Sequence, residues 1–158
     1  MKTDLIIRRA VLNDLEMIGR LWQEFMDFHR ARDSHFTRSV DGHERFKEFI
    51  AGHIPSKTVC VLVAEKHGEV VGYCLAALAK HPSVFEKQDY GQVFDLAVTE
   101  RFRRMGIGEK MYQMVQSWFS EQGVYRIEIR VAVTNETSAA FWRTMGFKSY
   151  METGYKNI

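Results

Sequence analysis

Cysteine and proline are scarce in this chain, with two of each in 158 residues. Cys60 and Cys74 are too few for the disulfide framework of a small secreted domain. Neither belongs to a CxxC pair, so zinc-site spacing is missing and no metal is expected. With only Pro55 and Pro82, no Ser/Gly-rich stretch and no single-sign charge run, nothing divides the chain, and residues 1–158 read as one domain. Internal repeats are absent. The longest apolar run, Val70 to Ala79, is half of what a membrane span needs. Met1-Lys2-Thr3-Asp4 carries no apolar leader core, so a cytoplasmic protein without a membrane partner is expected. Excess charge is lacking too: 22 Lys+Arg against 20 Asp+Glu leaves +2, which excludes a general nucleic-acid binder. Against these absences stand 46% apolar and 27% charged residues, the makeup of an ordinary folded protein. A chain of this length buries roughly two thirds of its unfolded surface without staples.

Leu5 to Arg9 reads as a short first strand. Asn13, with Glu16 three residues on, has the form of a capping box. Leu15, Ile18, Leu21, Trp22, Phe25 and Met26 then recur at helical spacing. Asp41 and Glu44 repeat the cap signature before a second helix with Phe46, Phe49 and Ile50. Thr58–Ala64 and Glu69–Leu78 read as strands joined through Lys66-His67-Gly68. A three-residue loop there would set Cys60 opposite Cys74 as two reduced core thiols. Val93–Val98 is a further strand, and Gly108–Gln122 a helix stopped by Gly123. Ile127, Ile129, Val131 and Val133 alternate with Glu128, Arg130 and Ala132 as another strand. Asn135 opens a last helix that ends at Gly146, and Phe147 starts a final strand. The order β-α-α-β-β-β-α-β-α-β is mixed α/β.

Chemistry concentrates at Arg101-Phe102-Arg103-Arg104-Met105-Gly106-Ile107-Gly108, between a strand and a helix. A helix start carries unpaired N–H groups and about half a positive charge, so it attracts anions. Glycines allow close backbone approach. Four cations (Arg101, Arg103, Arg104, Lys110) stand against Glu100 and Glu109 over residues 100–110. A phosphate-binding P-loop is excluded, because Glu109 occupies the lysine position. A dinucleotide fold fits poorly: Met111 replaces the third glycine, and seven residues separate Val98 from Gly106. Coenzyme A remains, beside the plain reading of a charged turn before an ordinary helix.

The element order, the strand before Arg103-x-x-Gly106-x-Gly108, and the later Asn135-x-x-Ser138-Ala139-Ala140-Phe141-Trp142-x-x-x-Gly146-Phe147 resemble the GNAT superfamily of N-acetyltransferases. The resemblance spans nearly the whole chain and is strongest from Gln92 to Phe147. It implies a single-domain GNAT fold: a mixed central sheet of six or seven strands flanked by four helices. It also implies an acetyl-CoA site. Main-chain groups of Leu96, Ala97 and Val98 would pair with the pantetheine arm, and N–H groups from Arg103, Arg104, Met105, Gly106, Ile107 and Gly108 would hold the pyrophosphate. Asn135 would contact the cofactor, with Phe141 and Trp142 near the arm and thioester. The implied activity is acetyl transfer to a primary amine by direct attack in a ternary complex.

Such transfer needs a neutral amine, a stabilised oxyanion and a proton for the departing thiolate. An amine of pKa ~10.4 is only about 0.1% neutral near pH 7.4, a barrier of roughly 4 kcal/mol. A backbone N–H of Leu96–Val98 could serve the oxyanion, worth on the order of 3 kcal/mol. The family's thiolate-protonating tyrosine falls at position 142, which is Trp142 here, and indole is far too weak an acid. The acceptor-facing parity of the fourth strand assigns Gln92, Phe94 and Leu96 to the site. None is acidic, and Asp95 has the opposite parity and reads as structural. Glu128, Tyr90 and Tyr150 are left as substitutes, with the catalytic groups otherwise unassigned. The competing reading, favoured by Trp142 and by the acid-free strand face, is a non-catalytic acyl-CoA-binding or regulatory domain.

In the family the acceptor side is built from segments matching His29–Phe36 and Lys80–Tyr90. They hold His29, His35 and His81, read as solvated loop residues rather than metal ligands. Their mixed charge leaves a small amine, an amino sugar or a protein amine open as partner. A homodimer, common in the family, is left undecided.

Overall fold

A computed structural model of the chain describes residues 4–158, and Met1–Thr3, where the expectation about a leader begins, lie outside the described residues. Among the described residues five strands and four α-helices follow in the order β1 (Leu5–Arg9), α1 (Leu15–Arg30), α2 (Gly42–His53), β2 (Val59–Lys66), β3 (Glu69–Lys80), β4 (Asp89–Val98), α3 (Ile107–Glu121), β5 (Ile127–Ile129) and α4 (Glu136–Thr144). The sheet runs in the order β1-β2-β3-β4-β5, antiparallel except for the β4–β5 pair.

Helices cover both faces of this sheet, which is why β2 and β3 are near-continuous apolar runs. Val61, Val63, Tyr73 and Leu75 face α1 and α2, packing with Ile18, Leu21 and Ile50. Cys60, Leu62, Ala64, Cys74 and Ala76 face α3, packing with Met111, Val115 and Phe119. Each fully buried side chain of this size contributes about 1.5–3 kcal/mol. Trp22 stacks on Phe46 at 5.1 Å and joins α1 to α2.

Five strands stand where six or seven were expected. Phe147–Ile158 forms no strand. Phe147 tucks against Trp142, while Met151, Tyr155 and Ile158 are exposed, so no two-residue period exists to bury one face. The β2–β3 loop has two residues, not three, since Lys66 faces Glu69. His67 and Gly68 take φ of +53° and +78°, the left-handed pair that suits strand twist in a two-residue turn. A register shift follows at Ala64/Glu65, so Cys60 faces Ala76 and Cys74 faces Leu62. The thiols are therefore diagonal neighbours on one face rather than opposite; both are free and buried, and burial pushes Cys60 up to about 11. At the start of α1 the capping position falls to Asp14, not Asn13. The Asp14 carboxylate accepts from Val11 N–H at 2.8 Å and from both Arg8 guanidinium nitrogens.

Candidate active site

β4 and β5 pair only at Gly91, Gln92 and Val93. β4 continues to Val98 while β5 stops at Ile129, so the sheet splays from Phe94 onward, earlier than the expected opening after Val98. The cause is a β-bulge. Leu75 faces Asp95 and Ala76 faces Val93, which leaves Phe94 without a partner and 54% exposed. β5 was expected to run to Val133. The alternation continues in the sequence only: the bulged β4 has turned away and offers no ladder beyond Ile129, and Val133 sits exposed in a turn.

That bulge also overturns the parity reading. Leu96 packs toward the α3 side, whereas Asp95 hydrogen-bonds the buried Tyr73 hydroxyl at 2.9 Å on the α1/α2 side. Asp95 is thus on the α1/α2 side, the one expected to face an acceptor. Burial pushes its carboxyl up to about 6, and the Tyr73 hydrogen bond only partly offsets this.

Along the splayed edge, hydrogen bonding decides which main-chain groups are open. Thr99 N–H donates to Val71 C=O on β3 at 2.9 Å. In an antiparallel pair these directions alternate, so Ala97 turns its main chain to β3, while Leu96 and Val98 turn theirs into the splay. The Val98 carbonyl is taken by Arg103 Nε at 2.9 Å. The remaining groups, the Leu96 N–H and C=O and the Val98 N–H, suit an extended amide-bearing chain.

The following loop enters α3 through Gly106, whose φ of +76° is left-handed. No side chain caps this helix, and a Cβ at Gly106 would point into open space. The N–H groups of Ile107, Gly108 and Glu109 precede the first intrahelical bond, Lys110 N–H to Gly106 C=O. A cradle for an anionic group is therefore built. Arg104 is also left-handed, at φ +60°. The expected cations divide into two kinds. Arg101 pairs with Glu69 at 2.7 Å. The Arg103 guanidinium folds back onto Val98 C=O and Glu24 of α1, and Glu24 also accepts from Thr99 and from Glu100 N–H. Arg103 thus ties the loop to α1 instead of projecting outward. Among the described residues, Arg104 and Lys110 make no ion pair and remain for a ligand's charge. Met105 is exposed, with its sulfur 4.0 Å from Lys66 Nζ.

Asn135 caps α4 by accepting from Ser138 N–H at 3.2 Å, and it is buried at the splay. Phe141 lies against Gly108, where a Cβ would sit 3.4 Å from its ring. Trp142 is 8% exposed and packs edge-on with Tyr112 at 5.5 Å and Phe147 at 5.1 Å. It closes one wall of a narrow cleft of about 50 Å³ between β4, β5, α1 and α4.

Glu128, Tyr90 and Tyr150 converge in one cluster. Glu128 accepts from Arg126 at 2.8 Å and Tyr150 at 2.8 Å, and lies 3.2 Å from His81, whose ring stacks on Tyr90 at 4.1 Å. Burial pushes the Glu128 carboxyl up, but the hydrogen bonds and charges outweigh it and hold the group below its ordinary range. A carboxylate so satisfied is a poor base. Two other residues line the cleft instead: Arg130, and His29, which was expected to be a solvated loop residue but lies half-buried in the last turn of α1. His29 follows Ile18, Leu21 and Phe25 on the buried stripe of α1, four residues beyond Phe25, so its position was readable from spacing. Burial first, then the nearby Arg32 charge, lower its pKa and keep the imidazole neutral. Among the described residues no group of three His, Cys, Asp or Glu side chains is placed to hold a metal, and no helix is long and apolar enough to cross a membrane.

A five-stranded α/β sheet that splays beside an uncapped helix start is the architecture of an acetyltransferase fold. Residues 18–147 match the model of the Acetyltransferase (GNAT) family, and the chain belongs to it. An uncharacterized N-acetyltransferase of Archaeoglobus fulgidus is 29% identical over 142 residues, covering 90% of this chain and 92% of the relative. An N-alpha-acetyltransferase of Sulfurisphaera tokodaii is 32% identical over 110 residues, 63% of each chain. Among solved structures, a tetramutant of the BH1408 protein from Bacillus halodurans superposes with a TM-score of 0.82 at 24% identity, covering 97% of this chain and 99% of that one. The aminoglycoside N-acetyltransferase AAC(6')-Iy in complex with CoA gives 0.77 at 16% identity, covering 98% and 94%. These two likenesses concern the fold.

Proposed function

We propose that this chain, as a single domain over residues 1–158, transfers an acetyl group from acetyl-CoA to an amine acceptor. The observation that carries the reading is the pairing of an open β4 edge with a glycine-capped, otherwise uncapped α3. The first suits an amide-bearing arm, and the second suits a pyrophosphate. Acetyl-CoA supplies an activated acetyl thioester. Arg104, Met105, Gly106, Ile107 and Gly108 hold the diphosphate, with Arg103 fixing the loop's shape from behind. Leu96 and Val98 orient the arm through main-chain groups, and Ala97 keeps that edge in register with β3. The Leu96 or Val98 N–H stands ready for charge developing on the carbonyl oxygen, an effect worth about 3 kcal/mol. Asn135 and Trp142 wall the cleft and exclude water, and Phe141 lies beside it against Gly108.

His29 takes the amine proton. Among the described residues it is the one titratable base lining the cleft, and it is held neutral, the state a general base needs near pH 7. No phenol lines the cleft to reprotonate the thiolate, so that proton comes from solvent and this step is slow. A buried Trp142, packed in an aromatic cluster, accounts for the lost acid as a wall residue.

The runner-up, a cofactor-binding domain without turnover, is favoured only by Trp142. Calorimetric binding of acetyl-CoA together with thiol release in an amine panel separates the two. Acetyl-CoA binding with amine-dependent CoA release supports the enzyme, and binding without release across the panel supports the other reading. Failure to bind acetyl-CoA overturns both.

A further inference from the structure

The charge around the acceptor cleft is divided unevenly. The carboxylates nearest the cleft are already engaged by the protein itself. Asp95 is held by Tyr73. Glu128 is held by Arg126, Tyr150 and His81. At the cleft's rims, Asp27 pairs with Arg38 at 3.0 Å and Glu136 with Arg143 at 2.7 Å. No carboxylate lines the cleft.

The cations are treated differently. Arg130 follows Ile129 at the end of β5. There the chain leaves the β5 ladder, and Ile129 and Val131 line the same cleft as Arg130. Arg130 lines the cleft together with His29, is exposed, and among the described residues makes no ion pair or hydrogen bond. A cationic acceptor would meet an unpaired guanidinium and no carboxylate in the lining of the cleft. An acceptor carrying its own anion would meet a planar fork of donors suited to a carboxylate.

We infer that the acceptor is an amine that carries a carboxylate close to its nitrogen, with Arg130 gripping the carboxylate while the amine lies under His29. The inference deepens the proposed acetyl transfer and rests on it. A free amino acid and a peptide that opens on an acidic residue share this chemistry. Amine-rich sugars and polyamines do not. No bond to Arg130 forms or breaks: it positions the acceptor, and the amine proton still leaves through His29.

The test uses the full chain with acetyl-CoA and matched amines: glycine against glycinamide, a short peptide opening on Asp against one opening on Lys, and spermidine. Wild-type kcat/KM should favour the carboxylate-bearing member of each pair by about tenfold or more, the usual weight of a charge-assisted hydrogen-bonded pair. Whether glycine or the Asp peptide is the better of the two names the source. Arg130→Gln should raise KM for the favoured member about tenfold and narrow the preference to about twofold. Arg130→Lys should restore part of it. The acetyl-CoA dissociation constant of Arg130→Gln, measured in parallel, reports whether the fold and cofactor site survive, and it should match wild type. Preference for spermidine or the Lys peptide would overturn the inference. So would an equal loss on every amine in Arg130→Gln, or bound acetyl-CoA with none of the amines consumed. Failure of wild type to bind acetyl-CoA would instead bring down the proposed function, and the inference with it.

Discussion

Replacing Asp95 by Asn should stabilise the protein at pH 8 and not at pH 4. Burial lifts the Asp95 carboxyl from 3.8 to about 6. The native state therefore holds a proton there that the unfolded chain releases between these values. Stability from this source is present below the unfolded pKa and is lost as pH rises through about 6. Above it the native state carries a buried charge, at a cost of about 3 kcal/mol. Asn removes that charge and still accepts the Tyr73 hydroxyl hydrogen bond. Its amide N–H groups lose water without a partner and give back roughly 1–2 kcal/mol. The net gain at pH 8 is about 1–2 kcal/mol, or a midpoint higher by roughly 2–8 °C for a chain of this size. Below pH 4 the neutral acid can donate and accept, so Asn should be level or slightly worse. Thermal or urea unfolding of both proteins at pH 4, 6 and 8 reads this directly. An equal difference at all three pH values would refute the reasoning, because a fixed packing effect has no proton to lose.

His29→Gln should cut kcat by about a hundredfold or more while sparing acetyl-CoA affinity. In wild type the rising limb of kcat/KM with pH should have its midpoint below 6.5, and an unchanged profile in the variant would remove His29 from proton transfer. Trp142→Tyr should raise turnover if the thiolate proton limits the rate, at a stability cost of about 1 kcal/mol from the emptied wall; unchanged turnover would mean another limiting step. Gly106→Val should weaken acetyl-CoA binding severely through its left-handed φ and the filled cradle. Arg104→Glu should weaken binding more steeply at low salt than at high, whereas Arg103→Glu, set against Glu24, should also lower thermal stability. Wild-type affinity for acetyl-CoA in both the Gly106 and Arg104 variants would sink the loop assignment.

Much of this architecture could be read from local signals. The α3 and α4 spans follow apolar periodicity, and Asn135 and Gly146 mark the ends of α4 as their chemistry demands. Gly106 and Gly108 announce the loop. What escaped reading depends on partners distant in sequence. Gln92, Phe94 and Leu96 look like one regular alternation, and nothing local betrays the extra residue at Phe94 that moves Asp95 to the other face. Ile127 to Val133 alternates well, yet a strand also needs a neighbour, and the same bulge removes it. Arg103 looks like a phosphate ligand until Glu24, 79 residues earlier, is brought beside it. His29 was read as a solvated loop residue, although its spacing from Phe25 continues the α1 stripe and needs no tertiary structure to place it.

The open stretch of β4 has a cost as well as a use. Unpaired ladder groups template pairing with other chains, and most sheets blunt or cover such edges. Here the edge is sunk between β5 and α4, bent by the bulge at Phe94, and followed at once by the charged run Glu100–Arg104. Shape and charge, rather than hydrogen bonding, thus shield this edge from pairing with another strand. A bound extended ligand would complete the guard. Solubility and ligand loading are on that account coupled properties of this sheet.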